Sequence, residues 1–209
     1  MRWESRPNTS ITLVFSEGAD RSLLSAANFD ALTLCPALSS LNWIHVPGLN
    51  EAHALEAQLT KARSEGVIVS VSGSWAASRL DQLGAHEKLP WDLLILNEAE
   101  AKRAFPRFNT ADPHSLSHSG DIVVTRGREG AIARVGDDAF SISGRSVSVT
   151  DTTGAGDAFA AGFISARLTD ASVEHALEVG VATAAAQLQV VGGVAKDPAL
   201  YEEAKALLC

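Results

Sequence analysis

The run Asp151-Thr152-Thr153-Gly154-Ala155-Gly156-Asp157 places small residues directly before a helical apolar pattern and sets a carboxylate at its start. Gly154 and Gly156 lack side chains, so the backbone there turns sharply and lets a ligand approach closely. Over residues 155–168 the pattern reads as a helix, with Phe159, Phe163, Ile164 and Leu168 on the apolar side. The first N–H groups of a helix lack intrahelical partners, and the macrodipole is positive there, so that end attracts anions. A phosphoryl group in transfer carries spread negative charge and suits such an end. Asp157 follows directly, where a carboxylate can accept the proton of an attacking hydroxyl. The chemistry these residues suggest is phosphoryl transfer to an alcohol. A glycine turn followed by a stabilising acid in the first helical turn is the alternative that needs no chemistry.

Two further segments bear on the same chemistry. Leu93-Leu94-Ile95-Leu96 is a short apolar run, read as a buried strand, and Asn97-Glu98-Ala99-Glu100 follows it at the head of a polar helix. Asn97 and Glu100 have the spacing of a capping box, which is their structural reading. Ile122-Val123-Val124-Thr125-Arg126-Gly127-Arg128-Glu129-Gly130-Ala131 reads as strand, tight turn, strand. Gly130 serves the turn. Arg126 and Arg128 either touch phosphates or are solvated, and the sequence does not decide between the two.

In their order along the chain the three segments resemble the signatures of the ribokinase-like (PfkB) family of carbohydrate kinases. Asp151, Thr152, Gly154, Ala155, Gly156, Asp157, Ala161, Gly162 and Phe163 fall where the family's second signature has them. The resemblance implies that Gly154, Ala155 and Gly156 form an anion hole for the transferred phosphate of ATP, with Asp157 as catalytic base. It implies that Asn97 and Glu100 form an Asn-x-x-Glu motif, in which Glu100 helps hold Mg2+ through water. That role suits an ion that keeps several waters and needs only one or two carboxylates. Thr125 and Gly127 are implied to line the nucleotide site, and Gly193, in Val190-Val191-Gly192-Gly193, to join them. The family's cation-holding Ser after that glycine loop is not matched, although Asp151 and Thr153 offer oxygens to a monovalent cation such as K+. Trp43-Ile44-His45-Val46-Pro47-Gly48-Leu49-Asn50 resembles a strand of fructose-type and ketohexose-type kinases, and His45 is read as a core residue of that strand.

The family's N-terminal sugar-holding strand and its Gly-Gly-x-x-x-Asn segment have no counterpart in the 209 residues. The resemblance starts near Asn8, with the lid strands over residues 8–25 and the following loop at Ser25-Ala26-Ala27-Asn28. The expectation is a single kinase domain over 1–209, truncated at the N-terminus, with a small-molecule sugar or nucleoside as substrate. Absent strands would expose one sheet edge, which invites pairing, as in a homodimer, or aggregation. A catalytically silent nucleotide-binding module is the alternative. A Rossmann dehydrogenase is disfavoured, because no G-x-G-x-x-G follows an early strand.

Strand and helix signals alternate along the chain, which predicts an α/β fold, a mainly parallel sheet flanked by helices. Strands are expected at 11–15, 42–46, 67–71, 93–96, 122–124, 131–135, 139–142 and 147–149, with a returning strand starting near Leu23. Helices are expected at 51–65, with Ala54, Leu55, Leu59 and Ala62 on one face, and at 75–83, 98–105, 155–168, 172–189 and 198–208. The polar stretch 106–120 reads as a surface loop, and its His114 and His118 do not make a metal pair. A net charge of -8 argues against nucleic acid, though not against a nucleotide. Two cysteines, Cys35 and Cys209, read as free thiols of a reducing cytoplasm. No apolar stretch approaches the ~20 residues that span a bilayer, and no signal-peptide core opens the chain.

Overall fold

The computed structural model describes residues 11–17, 20–26, 41–74, 76–83, 88–109, 112–116 and 119–208. Cys35, Cys209, Trp75, His118, Ala27 and Asn28 lie outside them, and Ser25 and Ala26, expected in a loop, belong to a strand. Contacts divide the chain into two compact units, Met1–Ala37 and Leu38–Cys209. In the first unit, β1 (Ile11–Glu17) and β2 (Asp20–Ala26) pair antiparallel in a hairpin. The returning strand starts at Asp20, earlier than Leu23.

The second unit is built on a six-stranded sheet of order β3-β4-β5-β6-β7-β8. Its strands are β3 (Trp43–Val46), β4 (Ile68–Ser72), β5 (Lys88–Asn97), β6 (Ser119–Thr125), β7 (Ala131–Val135) and β8 (Asp138–Ile142). The first four run parallel, and β6, β7 and β8 pair antiparallel. Helices α1 (Leu49–Ala54), α2 (Glu56–Ser64), α3 (Ala77–Leu83) and α4 (Glu98–Ala104) link the parallel strands, as parallel pairing requires of its crossovers. Helices α5 (Ala155–Arg167), α6 (Val173–Gln187) and α7 (Glu202–Ala206) follow the sheet.

One sheet face builds the main core. Leu93 and Ile95 of β5, Val123 of β6 and Ala131 and Ala133 of β7 form one buried cluster with Phe159 and Phe163 of α5 and Leu177 of α6. Side chains alternate along a strand, so Leu94, Leu96, Ile122 and Val124 point to the other face and are also fully buried. This two-sided burial is why the parallel strands read as unbroken apolar runs. Phe159 and Phe163 stack with ring centroids 6.2 Å apart. Gly162 lets α5 approach α6: a Cβ there would stand 2.4 Å from the Thr183 hydroxyl oxygen.

Several boundaries differ from the sequence reading. The 51–65 helix is two helices broken at Leu55, and Ala52 rather than Ala54 joins Leu55, Leu59 and Ala62 inside. Both flanking segments bury their own short apolar row, and the break lets each face the sheet. No strand forms at 147–149, where Val149 is exposed; β8 already closes that edge. The 106–120 stretch is more than a surface loop. Phe108 and Leu116 are buried in it, and a 3-10 turn at Pro113–Ser115 leads into β6. Leu168 ends α5 exposed, because Ala166 takes the inward position of the last turn. The expected 198–208 helix begins as a 3-10 turn, Pro198–Tyr201, capped by the Asp197 carboxylate, and only then becomes α7. Among the described residues, no helix is long and apolar enough to cross a membrane.

Candidate functional site

Helix α5 starts at Gly154, which adopts a left-handed conformation, φ 75° and ψ 2°, with no side chain capping the helix. Only glycine takes that conformation without steric cost. Space makes a second demand: a Cβ at Gly154 would stand 2.3 Å from the carbonyl oxygen of Gly193. The turn is thus pressed against the Gly192–Gly193 loop. Asp151 stitches the two together. Its Oδ1 accepts from the Thr153 N–H at 2.9 Å and from the Thr153 hydroxyl at 2.7 Å. Its Oδ2 accepts from the Gly192 N–H at 3.0 Å.

The result is a helix start with no side-chain cap, where the Ala155 N–H makes only a long 3.4 Å bond to the Thr152 carbonyl. Gly156 and Asp157 are exposed, and Asp157 lies in the first turn of α5. The arrangement can hold an anion on backbone N–H groups beside a carboxylate.

A cavity of about 220 Å³ opens next to this turn. Thr125, Gly127, Thr152, Ala155 and Gly156 form its polar side. Phe159, Val181, Ala185 and Leu188 form its apolar side, and Arg145 also lines it. A largely apolar cavity beside a helix N-terminus suits a base joined to phosphates. Gly127 has a φ of 56° and starts a 3-10 turn, Gly127–Glu129, between β6 and β7. Gly130 also borders the cavity, with a φ of 90°. Arg126 reaches back to the Glu129 carbonyl and the Ser141 hydroxyl. Arg145 pairs with Glu203 of α7.

Four of the residues singled out in the sequence, Thr125, Gly127, Ala155 and Gly156, line this one cavity. Gly193 abuts Gly154 instead of lining it. Asn97 and Glu100 form the capping box of α4: the Asn97 side chain accepts from the Glu100 N–H at 2.9 Å, and Glu100 Oε2 accepts from the Asn97 N–H at 2.8 Å. Glu100 is only 4% exposed. A Cβ on Gly73, just past β4, would stand 2.6 Å from Glu100 Oε2, so the carboxylate reaches the carboxyl end of the parallel strands. Ligands of open α/β sheets bind outside that end. Among the described residues, no group of three His, Cys, Asp or Glu side chains could hold a metal ion directly.

His45 is more than a packed strand residue. Its Nδ1 lies 2.9 Å from the Ser70 hydroxyl and its Nε2 3.3 Å from that of Ser72, while the Trp43 indole N–H donates to Ser70 at 2.8 Å. Burial holds the ring's pKa below the usual 6.5, and the negative charge of Asp157 acts in the opposite sense.

Arg145 lines the cavity and Gln187 and Tyr201 bond to its glycine loops, although none of the three belongs to a sequence motif. Gln187 carried the one available signal, an amide inside an otherwise apolar helix face.

A family model described as pfkB family carbohydrate kinase matches residues 6–200. The chain belongs to that family. It is 36% identical over 77 residues to an ATP-dependent 6-phosphofructokinase of Thermoanaerobacterium thermosaccharolyticum, covering 37% of this chain and 24% of the relative. It is 33% identical over 112 residues to a ribokinase of Lactococcus lactis, covering 53% of this chain and 37% of the relative. The matched stretches thus span little more than a third of those relatives at most. The crystal structure of adenosine kinase from Sinorhizobium meliloti superposes with a TM-score of 0.75 at 18% identity, over 96% of this chain and 66% of that one. The ribokinase-like fold, a mostly parallel sheet with flanking helices, is common to both.

Proposed function

We propose that this chain carries the ATP half of a phosphotransferase whose acceptor is a hydroxyl of a sugar or a nucleoside. The observation that supports it best is the meeting, at one cavity, of the uncapped Gly154 turn with Thr125 and Gly127. The ATP base would lie against Phe159, Val181 and Leu188, with its phosphates running toward the amides of Ala155, Gly156 and Asp157.

Transfer forms a bond between the acceptor oxygen and the γ-phosphorus and breaks the bond from that phosphorus to the β-bridging oxygen, releasing ADP. Asp157 takes the acceptor proton as the new bond forms. The turn amides meet the spread charge of the phosphoryl group in flight, where fixed donors help most.

Mg2+ would neutralise phosphate charge, and Glu100 with Asn97 fits it through water only. The carboxylate is committed by Oε2 to the helix cap, so it offers one acidic group rather than a cage. Asp151 and Thr153 would offer oxygens to a monovalent cation such as K+, since a carboxylate oxygen that accepts one N–H keeps a lone pair. No step runs through that ion.

An ADP-release assay over hexoses, pentoses and nucleosides tests the reading. Turnover on one of them is the expected result. ATP binding without turnover on any would reduce the chain to a nucleotide-binding module, and no ATP binding would overturn the reading outright.

A further inference from the structure

We infer that Gln187 and Tyr201 are positioning residues for the phosphate-binding turn at Gly154, and that the C-terminal segment Pro198–Ala206 thereby sets how well that turn receives a γ-phosphate. The inference rests on reading the Gly154 turn as the phosphate site.

Gln187 closes α6 and is completely buried. Its Nε2 donates to the Thr153 carbonyl at 3.2 Å and to the Gly192 carbonyl at 2.5 Å. Its Oε1 accepts from the Tyr201 hydroxyl at 2.6 Å. A carboxamide has two N–H donors on one atom and a carbonyl on the other. Here the donors face two backbone carbonyls and the carbonyl faces a hydroxyl, so the amide has one satisfying orientation. Tyr201 fixes it.

The two carbonyls that Gln187 bridges belong to the two strands of chain forming the turn's walls. Thr153 immediately precedes the left-handed Gly154, and Gly192 has a φ of 95° and precedes the Gly193 that presses on Gly154. Asp151 joins the same two strands on their N–H sides, through Thr153 and Gly192. Gln187 joins them on their carbonyl sides. The pair of clamps determines where the helix start points its amides, and a small displacement of such groups from the charge they meet is costly.

The C-terminal segment reaches the site twice. Tyr201 holds Gln187, and its hydroxyl oxygen also accepts from the Ala195 N–H at 3.4 Å in the same glycine loop. Two residues on, Glu203 pairs with Arg145, which lines the cavity. One short segment therefore touches both the wall of the base cavity and the scaffold of the phosphate turn.

The test compares the parent chain with Gln187→Met, which keeps volume and removes the three bonds, and with Tyr201→Phe, which removes one hydroxyl. Affinities for adenosine, ADP and the non-hydrolysable ATP analogue AMP-PNP are measured by calorimetry in Mg2+, with thermal unfolding as the folding control. In the parent chain AMP-PNP is expected to bind more tightly than ADP. Both variants are expected to lose that γ-phosphate preference by about tenfold while adenosine affinity stays within about twofold. Where turnover is measurable, KM for ATP rises by about the same factor and kcat falls. If Tyr201→Phe unfolds no earlier than the parent and keeps the full γ-phosphate preference, the inference is wrong although the nucleotide site stands. If adenosine affinity falls as much as AMP-PNP affinity, the residues support the fold at large and not the turn. If the parent chain binds none of the three, the reading beneath the inference has failed.

Discussion

At the scale of single residues, the polar chemistry concentrates at the carboxyl ends of the parallel strands and the amino end of α5. His45 is a case where side-chain chemistry and fold stability meet. Its ring sits on β3 beside Ser70 and Ser72, and burial lowers its pKa from 6.5 while Asp157 raises it. A group that gains a proton more readily unfolded than folded costs stability as it charges. The contribution of His45 is therefore intact above about pH 6.5 and is lost as pH falls through the lower folded value. An NMR titration should find its midpoint below 6.5 and, in Asp157→Asn, lower still, since the carboxylate's raising effect is gone. A midpoint that does not move in that variant would separate the two groups electrostatically.

At the scale of elements, the Gly154 turn is held by shape as well as by hydrogen bonds. Gly154→Ala puts a Cβ on a left-handed residue, about 1–2 kcal/mol by itself, and drives it toward the Gly193 carbonyl oxygen 2.3 Å away. Thermal unfolding should start several degrees earlier, and phosphoryl transfer should fall at least as far as stability would suggest. An unchanged melting temperature would mean that the turn has another conformation. This element was the most legible in the sequence, because two glycines, an acid and a helical apolar row all occur within a dozen residues. The Asn97–Glu100 pair was legible as a cap and is one; spacing alone cannot say whether the carboxylate also faces a ligand. The break at Leu55 was not legible, since both halves carry the same apolar period and only the sheet beneath decides where the axis bends. Nor was the burial of Phe108 and Leu116, two isolated apolar residues within a polar stretch.

At the scale of the whole molecule, the alternation of strand and helix signals was enough to give a parallel sheet with helices on both sides. The order of strands and the antiparallel end at β7 and β8 came from tertiary pairing. Gln187 and Tyr201 were invisible for the same reason: they lie fourteen residues apart and meet only because α6 and the C-terminal segment fold onto one loop. A ligand that binds the folded cavity and not the unfolded chain raises stability by mass action, by about 2.7 kcal/mol at a hundred times its Kd. Mg2+ and ATP together should therefore raise the melting temperature by several degrees, with a smaller rise for adenosine. No rise at millimolar ATP would argue that the cavity beside Phe159 is not a nucleotide site.

The most direct measurement is turnover and nucleotide affinity of Asp157→Asn beside the parent chain, on whichever acceptor the panel identifies. Asp157→Asn should lower kcat by ~10²–10⁴, the range of a positioned base, with ATP affinity unchanged. Equal turnover in the two proteins would remove Asp157 from the chemistry.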